Sequence, residues 1–285
     1  MAEVTVRELY TYPVKGCGGG PVQELVLTEQ GIEGDREYSF VDEDGKLVDQ
    51  KETPILASIS AELTEGELVL RHASQGLYKH QPRSKGKSVP ATWVIDQFEG
   101  IDQGEEVAAW VSGIIDKNVR LIRADKPWTV NFPVPSMKRV HGKPKQKFTG
   151  ATDVSLTNLA SLEALNRNLD VPIGMDRFRT NLVVDGIAAY AEDDMDLVGN
   201  ETVEIMQVTP AERCEIITTD QITGERPKNN ILKVLGQTRY KTIDRYGTGL
   251  LFGNYMRVSK PGILRIGDVL ALRDMTEKER LAAEG

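Results

Sequence analysis

GIEGDREYSFVDEDGKLVDQ, residues 31–50, carries the first clear statement about fold. The apolar runs Tyr38–Val41 and Leu47–Val48 flank Asp44-Gly45. Such a dipeptide suits a tight hairpin, because glycine takes positive φ without steric cost. Ahead of the hairpin, Gly31 and Gly34 bracket a turn that does not reproduce a dinucleotide-binding fingerprint. Working toward the amino terminus, VTVRELYTYPVK (4–15) reads as a strand with a bend or an edge at Pro13. Toward the carboxyl terminus, LASISAELTEGELVLRH (56–72) reads as a strand pair turning at Glu65-Gly66. The front of the chain is therefore expected to be β.

Beyond residue 100 helical spacing enters. DQGEEVAAWVSGII (102–115) places Val107, Trp110, Val111 and Ile114 on one helical face, with Asp102 as cap and Glu105 three residues later. NVRLIRAD (118–125) reads as a strand. DKPWTVNFPVPSMKRVHGKPKQKFTGA (125–151) holds four prolines and too little periodicity for a regular element, so it is read as a connector. SLTNLASLEALNRNL (155–169) reads as an amphipathic helix capped by Ser155 or Asp153. MDRFRTNLVVDG, ETVEIMQVTP and ERCEIITTD read as strands, NNILKVLGQTRY as a short helix, and YMRVSKPGILRIGDVLALRD as a hairpin turning at Pro261-Gly262. The expected organisation is α+β and mainly β: a front domain over 1–125, a second over 126–274, and an exposed tail over 275–285.

The chain has 285 residues, enough to fold without disulfides or structural metal. Asp and Glu outnumber Lys and Arg by 43 to 35, giving a formal net charge of −8 with no long basic tract. A nucleic-acid surface is not expected from that balance, although a few arginines suffice to grip one phosphate. Cys17 and Cys214 are the two cysteines. The opening residues lack an apolar signal core and no apolar run reaches spanning length, so the expectation is a cytoplasmic protein with free thiols and no transmembrane segment. Two cysteines cannot make a four-cysteine iron–sulfur cluster, and no nicotinamide or flavin motif is visible, so any redox chemistry needs an outside electron source. His72, His80 and His141 show no metal-ligand spacing and are read as structural or exposed.

Five ordered segments carry a resemblance: YPVKGCGG, GIEGDREYSFVDEDGKLVDQ, DRFRTNLVV, ERCEIITTDQITG and GILRIGDVL. Together they resemble the MOSC-domain proteins that carry their own β-barrel-like N-terminal domain, in particular the amidoxime reducing components and their bacterial relatives. The resemblance covers nearly all of the chain apart from the tail. It implies a β-barrel MOSC domain packed against a β-barrel-like domain, together holding a molybdenum-pterin cofactor (Mo-molybdopterin). It places the metal-ligating, catalytic cysteine on Cys214, after Arg213. Cofactor contacts fall on Lys15, Gly16, Arg36, Arg177, Arg179 and Asn181. Implied partners are a small N-oxygenated substrate and a separate flavoprotein, ferredoxin-like or cytochrome electron donor; the implied reaction is reduction of N-hydroxylated compounds. A cofactor-binding or sulfur-transfer protein is the rival reading. The chain departs from the family pattern with Gly16 in place of Ser, Thr180 in place of Pro, and Met195 in place of Trp.

Taken without the family, these residues say less. A thiolate is a soft donor suited to a thiophilic metal, but a lone cysteine reads first as a small buried hydrophobe. Cys17, in a glycine-rich loop, is not read as a ligand. On an extended RFRTNLVV strand, Arg177, Arg179 and Asn181 would share one face; surface salt bridges would explain those arginines as readily as an anion. Asp35 is read as orienting Arg36 or closing a turn. Glu192, Asp193, Asp194 and Asp196 read as a solvated acidic loop that could border an entrance or face a basic partner. Thr223-Gly224-Glu225-Arg226 reads as a turn.

Overall fold

Tyr38–Val41 is buried along its whole length because it lies inside a five-stranded antiparallel sheet. The sheet order is Ser88–Trp93, Asp96–Asp102, Arg120–Ala124, Tyr38–Val41 and Leu47–Val48. The computed structural model describes residues 2–129, 144–145, 147–149, 152–243 and 247–276. The Asp44-Gly45 hairpin forms as expected, with Gly45 at φ +77°. The expected pair at Glu65-Gly66 also forms, and both turn residues have positive φ. Helix α1 (Glu105–Ile115) packs Val107, Val111 and Ile115 into a core with Val14, Tyr38, Phe40, Leu68 and Leu121. Its cap is Gly104 and not Asp102. Asp102 still belongs to the preceding strand, where it accepts a hydrogen bond from the Gly104 amide and pairs with Arg120.

Seven strands close the second body into a barrel. Around the ring they run Val154–Asn158, Leu182–Asp185, Glu3–Thr11, Val269–Arg273, Leu197–Gly199, Glu204–Glu212 and Gly247–Lys260, which pairs back onto Val154–Asn158. Val4, Val6, Leu156, Leu182, Val184, Ile205, Met256 and Leu270 fill the interior. The first strand of the chain thus completes a barrel built mostly from its last third. Glu24–Thr28 adds a second tie by pairing with Gly262–Arg265. That pairing replaces the hairpin expected at Pro261-Gly262, since the chain there leaves one sheet and joins another.

Two further expectations fail at the barrel wall. Residues 155–158 are strand, and only Leu159–Asn166 forms a helix, α2, capped by the Asn158 side chain on the Ala160 amide. Leu156 continues the helical spacing of Leu159 and Leu162, so the pattern alone extends the helix, but pairing on both sides makes Val154–Asn158 a strand buried at every position. The strand pairs in parallel with Leu182–Asp185, and α2 lies in the crossover between them. Pro210 does not split a strand pair: Glu204–Glu212 is continuous, and its register slips between Pro210 and Glu212. Helix α3 (Ile231–Thr238) forms as expected and packs with Phe178, Ile217 and Phe252 outside the barrel.

The acidic loop is not solvated as a unit. Glu192 is fully buried, accepts from Asn158 and Ser161, and has its pKa raised by burial. Asp193 holds Arg239 and Lys241. His80 is buried against Gln103, while His72 meets Ser74 at the surface. Met275, expected in the exposed tail, is buried with Leu197 and Met206. Residues 277–285, His141 and the connector between 130 and 143 lie outside the described residues.

Candidate active site

A cavity of about 350 Å³ is lined from both bodies. Its walls include Lys15, Gly16, Arg36, Arg177, Arg179, Asn181 and Cys214, the seven residues nominated from sequence. The backbone that carries them differs from the expected strands. DRFRTN is not an extended strand: Met175–Phe178 is a 3₁₀ turn, Arg179 follows in the left-handed region at φ +51°, and the strand begins only at Leu182. Likewise Cys214 is not on a strand. The chain leaves the barrel at Glu212 and Cys214 starts a 3₁₀ turn over Glu215–Thr218, so Arg213 and Cys214 both line the cavity.

Arg36 also sits in the left-handed region, at φ +47°. Such backbone costs of order 1 kcal/mol for a non-glycine residue and persists where its surroundings over-determine it. Here the Arg36 amide donates to the Tyr12 carbonyl at 2.8 Å and its carbonyl accepts from the Phe148 amide at 2.7 Å. Its Nη1 reaches both Asp35 oxygens at 2.9 and 2.7 Å, and its Nη2 donates to the Arg179 carbonyl at 3.0 Å. The Arg36 and Arg179 guanidiniums lie 4.3 and 4.7 Å from the Tyr12 ring centroid. Stacking on one π face system brings two like charges near each other at lower cost than bare contact.

The cations differ in how far they are already neutralised. Arg177 pairs with Asp220 at 2.8 Å and Arg36 with Asp35. Arg179 donates to a neutral amide, Gln221 Oε1, at 3.0 Å; burial and then Arg36 bring its pKa down to about 10. Lys15 Nζ lies 4.0 Å above the Trp93 ring. Burial lowers its pKa to about 8, with Asp49 opposing and Arg36 and Arg179 adding to the shift. Asn181 has all of its amide capacity engaged: Nδ2 donates to the Tyr10 carbonyl and Asp35, and Oδ1 accepts from the Ser155 amide and hydroxyl.

Arg213, which the motif marks only as the neighbour of Cys214, is a further lining residue. It is buried, and its Nε and Nη1 donate to the carbonyls of Phe252 and Phe178 at 2.9 and 3.1 Å. Its Nη2 is buried with no partner among the described residues. An unpaired buried guanidinium N–H is expensive, and burial accordingly lowers the group's pKa. Five cations and three acids (Asp49, Asp153 and Glu212) line the cavity, and its remaining wall mixes aromatic and apolar side chains such as Trp93, Phe148, Phe178 and Ile216 with polar ones such as Gln50, Thr149 and Asn181. The arrangement suits an anionic ligand with a flat, partly apolar body. The Cys214 thiol is exposed at its edge, which removes the buried-hydrophobe reading.

Residues 3–118 match the MOSC N-terminal beta barrel domain, and residues 138–271 match the MOSC domain. The chain belongs to the MOSC-domain family. Among relatives of this MOSC-domain protein, mitochondrial amidoxime-reducing component 1 of Mus musculus is 30% identical over 281 residues, which cover 94% of this chain and 82% of the relative. Mitochondrial amidoxime reducing component 2 of Homo sapiens is 30% identical over 279 residues, covering 93% and 82%. Component 1 of Xenopus laevis is 29% identical over 283 residues, covering 92% and 80%. No helix among the described residues of this MOSC-domain protein is long and apolar enough to cross a membrane.

Proposed function

We propose that this chain binds a molybdenum-pterin cofactor in the cavity beside Cys214 and reduces small N-hydroxylated substrates with electrons from a separate flavoprotein, ferredoxin-like or cytochrome donor. The single observation that carries the reading is the buried Nη2 of Arg213, without a partner among the described residues, in the wall that also holds the exposed Cys214 thiol. A buried guanidinium N–H needs an acceptor oxygen, which an anion supplies most strongly, and a soft thiol beside it suits a thiophilic metal. Relatives at about 30% identity bear the name of amidoxime-reducing components.

When bound, the cofactor supplies a metal centre that exchanges two electrons and one oxygen atom with a substrate. The protein's part is to hold and orient. Cys214 would ligate the metal. Arg179, Arg213 and Lys15, which have no carboxylate hydrogen-bonded to them among the described residues, would meet the cofactor's anionic groups. Arg36 and Arg177, already paired with Asp35 and Asp220, would frame the site. Asn181 would act through its bonds to Asp35 and Ser155. Across a turnover the substrate's N–O bond breaks, two electrons come from the donor protein, and two protons complete an N–H product and water.

The test is anaerobic purification from a host that makes the cofactor, with molybdenum and pterin quantified and an N-hydroxylated amidine reduced using a chemical reductant. Near-equimolar metal and pterin with N–O cleavage are expected. Neither metal nor pterin in the purified protein would defeat the proposal, and labelled sulfur on Cys214 without pterin would favour sulfur transfer.

A further inference from the structure

Asp35 is fully buried beside the cavity without lining it, and it binds three partners at once. Its Oδ1 accepts from the Tyr12 amide at 2.8 Å, from Asn181 Nδ2 at 3.1 Å and from Arg36 Nη1 at 2.9 Å. Its Oδ2 accepts from Arg36 Nη1 at 2.7 Å. One carboxylate therefore fixes a cation from the front of the chain, an amide from the second body and the backbone that carries the Tyr12 ring. That ring is the surface on which Arg36 and Arg179 both stack. A buried carboxylate beside an anion-accepting cavity is unfavourable to the anion by simple Coulomb repulsion. Its retention needs a reason, and the contacts supply one.

We propose that Asp35 is a positioning residue that holds Arg36, Asn181 and Tyr12 in the geometry that binds anions, so that its negative charge strengthens anion binding. The proposal rests on the anion-binding character of the cavity in the reading above, and it extends that reading to a residue that does not face the ligand. Arg36 gains a fixed direction from the two-oxygen contact, at a backbone conformation arginine rarely adopts. Without it, Arg36 would be free to swing, and its Nη2 bond to the Arg179 carbonyl would no longer register the two bodies against each other.

Asp35→Asn separates the two effects of the carboxylate. An amide can keep its oxygen toward Tyr12 and Asn181 while presenting an NH₂ to Arg36, replacing attraction by donor–donor repulsion at one contact. If Asp35 mattered only as a charge, removing it would tighten anion binding. The positioning role gives the opposite sign.

The experiment is calorimetric titration of cofactor-free protein with inorganic phosphate, for the original chain, Asp35→Asn, Arg36→Gln and the double variant, with far-UV circular dichroism recorded on each. The expected result is phosphate binding weakened about 10- to 100-fold in Asp35→Asn, the usual scale for losing a supporting contact, and little further loss when Arg36→Gln is already present. Equal or tighter phosphate binding in folded Asp35→Asn overturns the proposal, as does the absence of phosphate binding by the original chain. Should Asp35→Asn not fold, Arg36→Gln decides: undiminished phosphate binding there overturns it too. Pterin content is measured separately on protein from the cofactor-making host. Lack of pterin with intact phosphate behaviour would sink the molybdenum reading and leave the role of Asp35 standing.

Discussion

The loop Lys15-Gly16-Cys17 and the turn Arg213-Cys214 pair a cation with a thiol, and they use the pair in opposite ways. In the loop the cation lines the cavity and the thiol is buried with Val14, Tyr38 and Leu56, where burial pushes its pKa up to about 12. In the turn the thiol is exposed at the cavity and the cation is the buried member. Residue type and charge are similar in both places; burial alone decides which thiol can meet a metal. A thiol kept protonated in an apolar core cannot serve as a ligand, whatever its distance from a basic side chain.

The comparison breaks most visibly under paired serine substitutions. Cys214→Ser should lose nearly all bound molybdenum while changing stability by no more than about 0.5 kcal/mol, since the side chain is exposed. Cys17→Ser should keep its metal per folded molecule but lose roughly 1–3 kcal/mol, because a hydroxyl replaces a thiol in an apolar core. Metal analysis and urea denaturation check both. Native maleimide labelling should modify Cys214 alone in cofactor-free protein.

Next in size is the buried cation. Arg213→Met should reduce pterin retention about 10- to 100-fold, as removal of a charged hydrogen-bond donor does. Arg177→Met should reduce it less, since Asp220 already neutralises that guanidinium. Fluorescence of released pterin after denaturation measures the difference; equal losses would erase the distinction between paired and unpaired arginines.

A smaller effect concerns the other cation. The Lys15 pKa is about 8 in the folded chain against an ordinary value of 10.5, so the unfolded chain binds more protons between those values. Stability of the cofactor-free protein should therefore rise as pH increases from about 8 toward 10, and this rise should vanish in Lys15→Met. Phosphate binding should run the other way, weakening above about pH 8 as Lys15 loses its charge. Smallest is Gly16→Ser, the family's more usual residue. Gly16 has φ +85° and its added Cβ would meet Leu56 Cδ1 at 3.1 Å, so a loss of about 1 kcal/mol is expected by thermal denaturation.

The hairpins at Asp44-Gly45 and Glu65-Gly66 and helices α1 and α3 were legible because local chemistry and burial agree there. Residues 155–158 were not, since Leu156 keeps the helical spacing of Leu159 and Leu162, while the burial of Ser155, Thr157 and Asn158 depends on strands distant in sequence. The seven residues nominated through the five ordered motifs do line one cavity, but the geometry that brings them there was not legible. Extended alternation predicted that Arg177, Arg179 and Asn181 share a strand face, whereas Arg177 lies in a 3₁₀ turn and Arg179 follows it in the left-handed region. On an extended ERCEIITTD strand, adjacent Arg213 and Cys214 would face opposite ways, but the strand ends at Glu212 and both line one wall. Partnerships such as Asp193 with Arg239, and Asp35 with Asn181, span too much sequence for any local pattern to signal them.

The central claim is that Cys214 ligates the metal in this cavity. X-ray absorption at the molybdenum edge tests it directly, comparing loaded original protein with whatever metal Cys214→Ser and Cys17→Ser retain. The account predicts one sulfur neighbour fewer in Cys214→Ser and an unchanged spectrum in Cys17→Ser. An unchanged sulfur count in Cys214→Ser at full metal content would contradict it.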